Sequence, residues 1–98
     1  MKLTEKQSRY LRGLAHPLKP VILIGEAGLS EGVVKETERA LHDHELIKVR
    51  ARVGEREARN TLLEELARRT GSALVHRIGH VGVLYKRRAE LPKILIPD

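Results

Sequence analysis

Apolar and polar positions alternate in successive blocks along the chain, and the period of each block predicts its element. Thr4-Glu5-Lys6-Gln7 has the form of a capping box, so a helix starts there and turns Leu11, Leu14 and Ala15 inward until Pro17 stops it. Val21-Ile22-Leu23-Ile24 is an unbroken apolar run between Pro20 and Gly25, the pattern of a strand buried on both faces, expected in mid-sheet. Gly25-Glu26-Ala27-Gly28 turns the chain, and Ser30 caps a second helix whose inner side is Val33, Thr37, Ala40, Leu41 and His44. Over residues 46–53 the period changes to two: Ile47, Val49, Ala51 and Val53 alternate with Lys48, Arg50 and Arg52, a strand with one buried face and one basic face.

A third helix runs from about Glu55 to Arg69 and ends at Gly71, with Ala58, Leu62, Leu66 and Ala67 inward. Glu55 with Arg59, Glu64 with Arg68 and Glu65 with Arg69 are acid-before-base pairs four apart, so this helix neutralises itself. Ala73 to Ile78 and Val83 to Lys86 are two strands joined by a glycine-bearing turn, and Lys93 to Asp98 is a candidate edge strand burdened by Pro92 and Pro97. The order α-β-α-β-α-β-β predicts an α/β fold, a two-layer sandwich with a mixed sheet of about four strands.

At 98 residues the chain has room for one modest core, and residues 1–98 are expected to form a single domain. Without cysteine it has neither a disulfide framework nor a thiolate nucleophile. No apolar run approaches the length of a membrane span, and the opening residues lack the apolar core of a signal peptide, so a cytoplasmic location without membrane partners is expected. A net charge of +6 points to a polyanionic partner, and its distribution is uneven. Residues 1–20 hold five basic side chains against Glu5, including the stripe Lys2, Lys6, Arg9 and Arg12, whereas residues 21–45 hold Lys35 and Arg39 against six acids. Residues 46–54 add Lys48, Arg50 and Arg52 with no acid.

Catalytic and metal chemistry find little support in these residues. His42-Asp43-His44-Glu45 is the one cluster that resembles a metal site, but helical residues two apart point in different directions. Ser30 has its capping role, and Ser8 and Ser72 lack the context of a catalytic nucleophile. Gly25 to Ser30 is too short for a phosphate loop and lacks the following lysine. The reading is therefore a non-enzyme with no metal, no cofactor and no small-molecule substrate. Tyr10 and Tyr85 are the only aromatics, too few for a base-stacking platform.

Two features remain open on pattern alone. Lys48, Arg50 and Arg52 either protect an edge strand or contact an anion, and Gly79-His80-Val81-Gly82 is either a plain hairpin turn or a place where bare backbone meets a ligand.

Longer words decide between these readings. "LRGLAHPLKPVILIGEAGLSEGVV", "LHDHELIKVR" and "RIGHVGVLYKR" resemble, in order and over nearly the whole chain, the bacterial YhbY group of CRM domains, the RNA-binding family named for chloroplast RNA splicing and ribosome maturation. The resemblance implies a fold similar to the C-terminal domain of translation initiation factor three. It also implies binding to ribosomal RNA in large-subunit precursors, in the service of ribosome assembly and without catalysis. Carried onto this chain, the glycine loop falls on Gly79, His80, Val81 and Gly82, and the basic surface on Lys19, Lys48, Arg50 and Lys86. Glu26 departs from the basic or neutral residue that many relatives have after "IG", so no phosphate contact is assigned there. Arg77, Lys86, Arg87 and Arg88 are expected beside the glycine turn, with Arg52 extending the surface. The alternative is a protein adaptor that docks basic ribosomal proteins through Glu31, Glu36 and Glu38 of the acidic second helix.

Overall fold

The computed structural model describes residues 2–98. Its elements are α1 (Glu5–Ala15), β1 (Pro20–Ile24), α2 (Glu31–His44), β2 (Leu46–Ala51), α3 (Arg56–Thr70), β3 (Ala73–Ile78) and β4 (Val81–Tyr85). The strands form one sheet in the order β1-β2-β4-β3, with β1 parallel to β2 and the two remaining pairings antiparallel. The expected α/β fold with a mixed four-stranded sheet is therefore what the chain adopts.

Local signals account for the element ends. Thr4 Oγ1 accepts from the Gln7 amide at 3.1 Å while the Thr4 amide donates to Gln7 Oε1 at 3.0 Å, which closes the capping box. Ser30 Oγ accepts from the Val33 amide and opens α2. Gly71, at φ 68°, ends α3 in the left-handed conformation that glycine reaches cheaply.

The sheet has two differently dressed faces. Ile22 and Ile24 of β1, Ile47, Val49 and Ala51 of β2, and Leu84 of β4 meet Val34 and Leu41 of α2 and Leu63, Leu66 and Ala67 of α3 in the larger core. On the other face Leu46, Val83 and Tyr85 pack against Leu11 and Ala15 of α1, with Ile94 and Ile96 of the C-terminal tail beside them. Helix α1 and the tail thus add partial cover to the second face.

Several expectations are corrected. β1 is an edge strand rather than a central one: Ile22 and Ile24 are buried, but Val21 and Leu23 stand half exposed because α1 lies over the other three strands. An unbroken apolar run does not reveal whether both of its sides will be covered. On α1 Leu14 is exposed, since the buried seam follows the Leu11–Ala15 pair one turn apart. On α2 the seam runs through Val34, Thr37 and Leu41, with His44 exposed, and on α3 Leu63 joins Leu66 and Ala67 at its centre. The three predicted pairs on α3 are replaced by Glu65 with Arg68, Glu64 with Arg77 of β3, and Arg59 on backbone carbonyls. The tail forms no strand. Among the described residues, no helix is long and apolar enough to cross a membrane.

Candidate nucleic-acid interface

Strands β3 and β4 are joined by a two-residue loop, Gly79-His80, closed by the pair Ile78 and Val81. Gly79 has φ 57° whereas His80 keeps a negative φ, as a type II′ turn requires, and that turn matches the twist of its flanking strands. The turn is held firmly. The carbonyl of His80 accepts from the Ala51 amide at 2.7 Å. Arg59 Nη1 lies 3.4 Å from His80 Nε2 while donating to the carbonyls of Val53 and Gly54 at 3.1 and 2.8 Å. A guanidinium only donates, so the imidazole nitrogen is the acceptor.

The Gly-x-x-Gly unit does not act as one loop. Val81 is a half-buried strand residue, paired with Arg50 on one side and Ile78 on the other, and it is not at the tip. Gly82 is buried within β4 on the α3 side, where a Cβ would come within 2.9 Å of both terminal carbons of Leu63. Its lack of a side chain serves helix–sheet packing, so of the four expected loop residues Gly79 and His80 are exposed, Val81 is partly accessible and Gly82 is buried.

The cations separate in the same way. Arg50 and Arg52 are exposed at the end of β2 and share a shallow depression with Lys19, Val21 and Leu23 of the β1 segment. Lys48, one residue pair back on the same face, donates from Nζ to the His16 carbonyl at 3.2 Å and so caps the C-terminus of α1. Arg77 points to the opposite face, where it pairs with Glu64 at 3.2 Å. Lys86, Arg87 and Arg88 follow the far end of β4, roughly 20 Å of strand away from the turn. There Lys86 Nζ donates to the Thr70 carbonyl at 2.9 Å and the Arg88 amide donates to Glu45. The expectation that the Lys86–Arg88 run flanks the glycine turn is therefore corrected, because β4 carries the run away from it; Arg77 does stand beside the turn, paired with Gly82, but strand alternation turns its side chain to the face opposite Arg50.

Two neighbours of this surface escaped the sequence reading. Leu23 and Ile78 are 50% and 68% exposed on the face that carries Arg50. The Gly25–Gly28 turn lies at the same end of the sheet, because β1 and β2 are parallel and the Arg52 amide donates to the Ile24 carbonyl at 2.8 Å. The β-α-β order was the available signal, since parallel strands bring their C-terminal ends together.

Residues 3–86 match the CRS1 / YhbY (CRM) domain. The chain belongs to this family. Across 95 residues it is 46% identical to an RNA-binding protein of Haemophilus influenzae, covering 97% of this chain and 95% of that one. It is 44% identical over 95 residues to a probable RNA-binding protein of Pseudomonas aeruginosa, covering 97% of this chain and 91% of the other. A hypothetical protein of Staphylococcus aureus, solved in solution and described as a candidate RNA-binding protein, superposes with a TM-score of 0.86 at 38% identity, covering 98% of this CRM chain and all of that one.

Proposed function

We propose that this CRM-domain protein binds RNA without catalysing a reaction, and that its target is ribosomal RNA in precursors of the large subunit, where it assists assembly. The observation that carries the RNA reading is the acid-free sheet: none of the four strands contains Asp or Glu, while Arg50 and Arg52 at the end of β2 and Lys19 just before β1 stand exposed around one depression along the β1 edge. Such a field attracts phosphate and repels few anions. Gly79 and His80 border it, and Lys48 adds charge while anchoring α1. The names of the bacterial relatives support the same partner class.

The ribosomal part rests on the resemblance of the longer sequence words, and crosslinking in living cells tests it. Crosslinks should concentrate on large-subunit precursor RNA and fall when Arg50→Ala and Arg52→Ala are introduced together. Crosslinks spread evenly over messenger and transfer RNA would remove the ribosomal assignment. The adaptor reading is weakened because Lys35 and Arg39 interrupt the exposed acids Glu31, Glu36 and Glu38 on α2.

A further inference from the structure

The strand registers align one residue from each strand in a row across the sheet: Leu23 of β1 beside Arg50 of β2, Arg50 beside Val81 of β4, and Val81 beside Ile78 of β3. Paired residues in neighbouring strands share a face, and this is the face of α1. Helix α1 stops short of the row. Its C-terminal carbonyl at His16 is held by Lys48, which belongs to the adjoining row, and its apolar contacts are with Leu46, Val83 and Tyr85. The Leu23–Ile78 row is left as an open strip, with Leu23 50% and Ile78 68% exposed and Arg50 standing between aliphatic neighbours.

From this we infer that the strip is a seat for the bases of single-stranded RNA, an inference that rests on the RNA reading above and names the form of RNA bound. Four strands at sheet spacing make a row about 14 Å wide, comparable with four-stranded sheets on which two or three bases lie. Aromatic rings are missing, but a guanidinium plane also stacks on bases, and Leu23, Val81 and Ile78 supply flat apolar surface on either side of Arg50. Arg52 and Lys19 lie at the rim, where phosphates run when bases face the sheet. A duplex keeps its bases stacked inside and has nothing to place on an aliphatic strip. Charge selects among occupants: a protein surface seated here would have to satisfy Arg50, Arg52 and Lys19 at once with no acid in the strands to balance them, whereas a nucleic-acid strand brings evenly spaced anions and apolar planes together.

The test compares an unstructured RNA of about 12 nucleotides with a duplex of the same length, at fixed salt, for the native protein and for Leu23→Thr with Ile78→Thr. Threonine keeps the β propensity of the strand positions and leaves the charge unchanged while removing apolar surface. The native protein should prefer the single strand, and the double variant should lose about tenfold of that affinity with an unaltered salt slope and unaltered duplex binding. Ile78→Thr alone, at the more exposed position, serves if the pair disturbs folding. Methyl resonances of Leu23, Val81 and Ile78 in the native protein should shift on adding the single strand. Equal affinity of native and variant for the single strand, a native preference for duplex, still methyl resonances, or occupation of the strip by a protein without RNA would each overturn the inference while leaving RNA binding through phosphates in place. Failure of the native protein to bind either RNA even at low salt would remove the RNA reading itself.

Discussion

Gly82 shows how a single residue can be read for the wrong function. Its neighbour across the core is Leu63, itself buried, and an added Cβ meets both Leu63 methyl carbons at 2.9 Å. Gly82→Ala should therefore cost about 1–3 kcal/mol by overpacking, measured by denaturant unfolding, and should cost distinctly less in a Leu63→Ala background because the two positions share the space. Equal costs in both backgrounds would show that the clash is absent. Gly79 behaves differently, since a Cβ there meets nothing and only its φ of 57° resists substitution. Tyr85 is a second residue whose position makes a measurable statement. Its hydroxyl is buried with no hydrogen-bond partner, and burial first, then the charge of Glu45, pushes its pKa up, opposed by Arg87. The folded state thus keeps a proton that an unfolded tyrosine gives up near about pH 10, so stability falls as pH rises past that value and through the folded pKa. Tyr85→Phe should match or exceed the native stability at neutral pH, where no hydrogen bond is lost, and should decline less above about pH 10. Parallel stability curves for the two proteins would contradict this assignment.

At the scale of elements, the C-terminal tail depends on a residue far from it in sequence. Glu45 follows α2 at φ 63°, fully buried, and its carboxylate accepts from the amides of Arg88, Lys93 and Ile94 at 2.7, 2.7 and 2.6 Å. Gln7 Nε2 adds a bond to the Pro97 carbonyl at 2.8 Å. A tail carrying Pro92 and Pro97 cannot sustain a strand ladder, and the carboxylate takes the place of one. Glu45→Ala should cost about 2–4 kcal/mol by leaving these donors without an acceptor, and hydrogen exchange should quicken at Arg88, Lys93 and Ile94 before it does in β2. Unchanged protection at those amides would mean that Ile94 and Ile96 alone hold the tail. In the sequence, Glu45 reads as the last member of a polar cluster, because its partners lie more than forty residues away. Element types were legible for the opposite reason: the capping box at Thr4, the period-two run from Ile47 to Val53 and the glycine stop at Gly71 are all local. Where a seam faces, and which strand lies beside which, are settled by contacts remote in sequence. That is why Leu63 and the edge position of β1 went unread, and why the Lys86–Arg88 run was grouped with a turn it does not flank.

Over the whole molecule, the excess of positive charge acts through position. Arg77 is paired with Glu64, and Arg87 lies at the far end of the sheet in a depression shared with Glu38 and Glu90, so both cations have acids nearby. Arg50 and Arg52 stand at the end of β2, in a sheet whose strands contain no acid, with no side-chain partner among the described residues. Removing two arginines from either region changes net charge equally, which separates a local phosphate contact from a general attraction. For a single-stranded RNA, Arg50→Ala with Arg52→Ala should lower the slope of log K against log salt by about 0.7, the share of one phosphate contact at Arg52, and should weaken binding further at every salt concentration because no guanidinium stacks on a base at Arg50. Arg77→Ala with Arg87→Ala should leave the slope nearly unchanged. Binding titrations across several salt concentrations read both values, with melting temperatures confirming that each pair leaves the fold intact, as surface changes of this kind ordinarily do within about 0.5 kcal/mol. Similar slopes for the two variants would assign RNA attraction to net charge alone and would take the open end of β2 out of the interface.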